Sequence, residues 1–212
     1  MTLRSYYADQ NFFGANIGTR MSAMKLAGGT LLYSPIAKTD ALRDELSDVR
    51  WVLAPSKFHH LSAGEWFGEG VRSYAPQGLH EKRQDLSFDE VIAEPGEPFG
   101  DEVYVFPLRF IPMTSEVVIL HRESRSLIVC DLVFNITKEN TFGARFMMGL
   151  VGGYPGVRPS LLEKLATKKD LAREDVGALL DLDFDRLVLA HGAIVESGGK
   201  DALAKAYSWL GV

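Results

Sequence analysis

Three short apolar runs stop abruptly at a residue able to bind metal or move protons, and together they constrain the fold more than any other feature. Arg50–Ala54 (RWVLA) runs into Pro55-Ser56-Lys57-Phe58-His59-His60. Leu127–Cys130 (LIVC) runs into Asp131, and Arg186–Ala190 (RLVLA) runs into His191-Gly192. Runs of four or five apolar residues bounded by Pro, Asp or Gly read as buried strands. In layered folds strand ends collect on one edge, so residues far apart in sequence can converge there. Two or three imidazoles with a carboxylate form a usable donor set for Zn²⁺ or Fe²⁺.

The rest of the chain alternates strands and helices. Thr19–Leu26 and Thr30–Ile36 read as a hairpin joined at Gly28-Gly29. Thr39 reads as the N-cap of a helix over Asp40–Ser47, and Ser62 with Glu65 as a capping box. Val71–Ala75 reads as a strand, and after an acidic loop come strands over Val103–Phe110, Glu116–His121 and Leu127–Cys130. From Thr137 to Asp183 the pattern turns helical, with a second capping box at Ser160 and Glu163. A final strand and an amphipathic helix, Asp201–Leu210, close the chain. Mixed strands and helices indicate α/β layers. The pattern alone leaves open a doubly wound sheet or a two-sheet sandwich.

Composition narrows the function class. The chain has 212 residues, 46% hydrophobic and 24% charged, the balance of a soluble globular protein. Net charge is −5 and no stretch is strongly basic, which argues against a nucleic-acid or anionic-membrane surface. No apolar run approaches the roughly 20 residues of a membrane span. Met1–Gln10 lacks the apolar core of a signal peptide, and Cys130 is the lone cysteine, so a reducing, cytoplasmic setting is expected.

The segment Ala54-Pro55-Ser56-Lys57-Phe58-His59-His60-Leu61-Ser62-Ala63-Gly64 resembles the His-x-His-x-Asp-His-x-x-Gly loop of the metallo-β-lactamase superfamily. Cys130-Asp131-Leu132-Val133-Phe134 resembles its Gly-Asp-x-Leu-Phe element, and Ala190-His191-Gly192 its late Gly-His-Gly. An uncharacterised bacterial branch with a Pro-x-x-x-His-His-Leu loop is similar over about residues 20–210. The resemblance implies an αββα sandwich: two mixed β-sheets with helices outside, one domain over 1–212 with a helical insertion at about 137–183.

It also implies an incomplete first metal site. Pro55 and Lys57 stand where the first two His ligands belong, and Met113 falls near the third. The second site keeps His60, Asp131 and His191, with His59 where the family has Asp. Lys57 would place its ammonium where the first ion sits. One divalent ion, zinc before iron, or none, is therefore expected at His59, His60, Asp131 and His191, with Asp131 and Lys57 as catalytic groups. The implied function is a mononuclear hydrolase of a small molecule. Its alternatives are a mononuclear iron oxidoreductase and a binding or regulatory domain without catalysis. His80 and His121 are expected to be exposed, Cys130 buried rather than nucleophilic, and Glu116 a supporting acid. The apolar stretch Phe142, Phe146, Met147, Met148 and Leu150 is expected to form a flap at the site edge or a homodimer contact.

Overall fold

The computed structural model describes residues 2–12 and 14–211; Met1, Phe13 and Val212 lie outside the description. The chain opens with β1 (Leu3–Ala8), β2 (Asn11–Phe12), β3 (Ala15–Asn16), β4 (Thr19–Leu26) and β5 (Gly29–Tyr33). Then come α1 (Asp40–Glu45), β6 (Val49–Leu53), β7 (Arg72–Pro76), α2 (Leu79–Lys82) and β8 (Glu90–Ile92). The next strands are β9 (Val103–Pro107), β10 (Val117–His121), β11 (Ser126–Val129) and β12 (Phe134–Ile136). Last are α3 (Phe142–Leu150), β13 (Gly156–Arg158), α4 (Leu161–Ala166), α5 (Lys169–Asp181), β14 (Arg186–Leu189) and α6 (Gly199–Tyr207).

Six strands form one sheet in the order β1-β4-β5-β6-β7-β8 and four form another in the order β14-β11-β10-β9. Both are mixed: β5 to β8 pair in parallel and β1, β4 and β5 antiparallel, while β14 joins β11 in parallel on an otherwise antiparallel ladder. The period-2 alternation of strands gives each sheet two apolar faces. Leu31, Tyr33, Leu53 and Tyr74 point between the sheets, meeting Val117, Ile119, Ile128 and Val188. Leu32, Val52 and Ala75 point outward beneath Leu46, Trp66 and Leu79. Leu127, Val129, Leu187 and Leu189 point outward beneath Val176, Leu179, Leu203 and Tyr207 of α5 and α6. The layers therefore run helix, sheet, sheet, helix, and the doubly wound alternative is excluded. Leu31 and Leu53 are fully buried at the centre, where truncation to Ala costs about 2–5 kcal/mol.

Local signals fared unevenly. Thr39 caps α1 through Leu42 N, and Ser160 with Glu163 forms a complete capping box on α4. Ser62 makes no cap bond; the segment after it is a single 3₁₀ turn, and the Glu65 carboxylate accepts from Lys38 N instead. The 137–183 region is not wholly helical, because β13 pairs antiparallel with β12. His121 is buried, contrary to expectation, with its Nδ1 2.7 Å from Ser124 Oγ. A strand flanked on both faces leaves no solvent for a side chain at its end. His80 is exposed as expected.

Candidate metal centre

Strand register creates the centre. In the parallel pair β11–β14, Val129 lies opposite Leu189, so two residues further on Asp131 and His191 stand side by side. On the other sheet β5 and β6 are parallel with Tyr33 opposite Leu53. Ser34 and the loop from Ala54 to His60 therefore leave from the same edge. Ser56 Oγ accepts the backbone N–H groups of Phe58 and His59 and folds that loop into a turn. Val117 N donates to Pro55 O at 2.7 Å and Lys57 N to Thr114 O at 2.8 Å, tying the loop to β10 in the opposite sheet.

His59, Asp131 and His191 come together there, all buried. His59 Nε2 lies 3.1 Å from His191 Nε2 and 3.4 Å from Asp131 Oδ1. His191 Nε2 lies 3.5 Å from the same oxygen. Two tetrahedral ligands each 2.0–2.1 Å from zinc are about 3.3–3.4 Å apart, so this triangle has the dimensions of one ion's ligand shell. Asp131 Oδ2 is also buried and has no hydrogen-bond partner. A proton shared among the three atoms leaves that oxygen unsatisfied, whereas a cation suits both oxygens.

The outer contacts prepare the ligand atoms. His191 Nδ1 is 2.5 Å from the Gly18 carbonyl. A carbonyl only accepts, so Nδ1 carries the proton and neutral His191 presents a bare Nε2 to the centre. Phe134 stacks on the His191 ring at 5.4 Å. Arg20 donates to the Leu189 and Gly192 carbonyls and holds the loop around His191. His59 Nδ1 meets Ser34 Oγ at 2.8 Å. Ser34 adopts a left-handed backbone, φ 55°, an unfavourable conformation for a non-glycine residue, typical of positions where a side chain must be aimed.

Glu116 supports Asp131 from below. Its Oε1 accepts Cys130 N at 2.6 Å and its Oε2 accepts Asp131 N at 2.9 Å. Burial, then the Asp131 charge, pushes the Glu116 carboxyl up to about 8, against the backbone N–H groups that favour its ionised form. For Asp131 burial alone would raise the pKa. The His59 charge and the hydrogen bonds of both imidazoles outweigh it and hold the carboxyl below the usual range. Cys130 is fully buried between the sheets, and burial raises its thiol pKa, so it is no nucleophile.

Two expected site residues lie elsewhere. His60, expected to join Asp131 and His191, turns away: Arg83 donates to its Nδ1 at 2.9 Å. Adjacent residues in a tight turn cannot both face one point, and His59, standing where the family has Asp, takes the inward position. Burial, then the neighbouring Lys82 and Arg83, lowers the His60 pKa. Lys57 is not directed into the cluster either. Its Nζ donates to the Pro112 carbonyl at 3.1 Å and packs beside Gly78. Met113 is exposed. Sequence reading missed Ser34 and the Gly18 carbonyl. Ser34 carried one usable signal, a hydroxyl directly after a strand; a backbone carbonyl carries none.

A cleft of about 180 Å³ opens over His59 and His60, lined by Asp9, Gln10, Thr19, Ser34, Phe58 and Leu61 among others. No helix among the described residues is long and apolar enough to cross a membrane.

Compared by sequence, the chain matches no family model and no curated protein. Compared by structure, it is similar to a metallo-β-lactamase from Pontibacter korlensis, with TM-score 0.69 and 12% identity over 99% of this chain and 95% of that one. It is similar also to the metallo-β-lactamase FIM-1 from Pseudomonas aeruginosa in its mono-zinc form, with TM-score 0.64 and 8% identity over 100% and 93%. A third is a metallo-β-lactamase from Hirschia baltica, with TM-score 0.62 and 13% identity over 98% and 92%. At such identities the likeness carries architecture and not activity: the chain has a metallo-β-lactamase-like fold, built around a buried His-Asp-His cluster.

Proposed function

We propose that the protein is a mononuclear metal-dependent hydrolase of a small molecule, with His59, Asp131 and His191 holding one divalent ion, zinc before iron. The observation that carries this reading is the convergence of three donor atoms 3.1–3.5 Å apart beside an unpartnered Asp131 Oδ2. When bound, such an ion supplies Lewis acidity toward a carbonyl or phosphoryl oxygen. The residues of the chain do the rest. Gly18 O keeps the His191 Nε2 unprotonated, Ser34 orients His59, and Glu116 fixes the backbone of Asp131. Three protein donors leave a coordination position for substrate, the arrangement of catalytic rather than structural zinc. The mono-zinc form of FIM-1 is a precedent for one ion in this fold. Lys57 has no catalytic part in this reading, since its ammonium is committed to Pro112 O.

The donor set also favours a second reading. Two histidines and one carboxylate are the ligands of non-haem iron oxidoreductases. Elemental analysis of protein purified without chelator or added metal separates the two. The expected result is one zinc per chain; one iron moves the assignment to redox chemistry. Protein that takes up neither ion on titration overturns both and leaves a binding or regulatory domain.

A further inference from the structure

We propose that the face formed by α3 and α4 docks onto an anionic phospholipid bilayer. On α3, Phe142, Phe146 and Leu150 recur every four residues and are 75%, 56% and 64% exposed, while Ala144 and Met148 on the opposite side pack against Ile17, Phe134 and Ile136. The Phe142 and Phe146 rings stack at 6.2 Å. On α4, Leu161, Leu162 and Leu165 are 51%, 49% and 76% exposed, with Glu163 turned inward. The end of α3 is tied to the start of α4, because Leu161 N donates to Val151 O at 2.6 Å, immediately after Leu150. Six large exposed apolar side chains on two helices tied at one point exceed the scattered exposure normal for a soluble domain.

The charge around them identifies the partner. Residues 138–170 hold six cations, Lys138, Arg145, Arg158, Lys164, Lys168 and Lys169, against three carboxylates: Glu139, the buried Glu163, and Asp170, which is paired with Arg173. Among the described residues none of the six stands in an ion pair. Elsewhere Arg109, Arg122, Arg125 and Arg186 each hold a carboxylate. No single run of the sequence is basic. The cations are spread through the segment and outweighed by acidic residues elsewhere, which is why a chain of net charge −5 gave no sign of them. Of these cations Lys138, Lys168 and Lys169 are exposed, and exposed Phe and Leu in a segment with unpaired lysines have the chemistry of an interfacial lipid contact, apolar groups entering the acyl boundary while cations meet phosphate. A second copy of the chain fits less well. A two-fold contact would bring the excess of cations in this segment together with itself.

The test is co-sedimentation of the intact protein with vesicles of pure phosphatidylcholine and with vesicles containing about one-third phosphatidylserine. Binding at least about tenfold tighter to the anionic vesicles, weakening as salt rises, is expected. Phe146→Asp with Leu165→Asp should abolish it, and Lys168→Glu with Lys169→Glu should remove most of the salt-dependent part. Both pairs are solvent-exposed, so unchanged circular dichroism and metal content confirm that the fold survives. Binding to neither vesicle overturns the proposal. So does a concentration-dependent dimer, dispersed by the double Asp variant, in protein that ignores lipid.

Discussion

His59 Nε2 lies 3.1 Å from His191 Nε2 across 132 residues of sequence, while the adjacent His60 faces Arg83. Two imidazole nitrogens this close cannot both carry protons. The Gly18 carbonyl already takes the Nδ1 proton of His191. Without an ion one of the two Nε2 atoms donates to the other, and with one, both Nε2 lone pairs are free to ligate.

This asymmetry makes the neighbouring histidines separable by experiment. His59→Ala should abolish stoichiometric metal binding, and Asp131→Ala should do the same. His60→Ala should leave one ion per chain and cost about 1 kcal/mol through the lost Arg83 hydrogen bond, Arg83 keeping Asp85 and the His60 carbonyl. Equal metal loss in the His59 and His60 variants would sink the assignment.

Gly192 is required by the same loop. It has φ +86°, and a Cβ on it would sit 2.1 Å from the Asn135 carbonyl oxygen. Asn135 N also donates to His191 O, so the collision cannot be relieved without moving the ligand. Gly192→Ala should lower unfolding stability by about 2 kcal/mol or more and weaken metal binding together. A variant as stable as the parent would contradict this geometry.

The sequence made the strand ends legible because a buried strand needs a continuous apolar run, and the residue that stops it is conspicuous. Asp131 and His191 were found in this way. The choice between His59 and His60 was not legible. It depends on the turn that Ser56 imposes and on Arg83, 23 residues further along the chain. Lys57 was misplaced for a related reason, since its partner is a carbonyl on another loop. The sandwich itself came from the family resemblance; strand order alone left two architectures open. β13 escaped notice because three residues that open on Gly156 and lie between Pro155 and Pro159 carry no period, and pairing with β12 alone makes them a strand.

Glu116 should act on the metal through Asp131. Both of its oxygens accept backbone N–H groups, and an amide offers only one acceptor. Glu116→Gln leaves one buried N–H against an NH₂ group. Metal affinity should fall about 10- to 100-fold, with a stability loss of about 1–3 kcal/mol. Isothermal titration with Zn²⁺ reads the first, and affinity equal to the parent's would remove Glu116 from the site.

Glu163 gives the protein a pH dependence whose sign can be worked out. Its carboxyl is pushed up to about 7, first by burial and then by the negative charge of Asp131, from an ordinary value of 4.5. The folded state therefore holds this proton more tightly than the unfolded chain does. The stabilising contribution is complete below about pH 4.5 and is lost as pH rises toward and through 7. At 1.36 kcal/mol per unit the loss is on the order of 3 kcal/mol, the capping bonds to Ser160 being kept throughout. Glu163→Gln cannot ionise, yet its amide oxygen can still accept from Ser160 N. Compared with the parent, both stripped of metal, the variant should melt at about the same temperature at pH 4.5. At pH 8 it should melt about 6–12 °C higher. Thermal unfolding followed by circular dichroism across that range measures the difference directly. A gap that stays constant with pH would mean that Glu163 is no more tightly protonated in the fold than in the open chain.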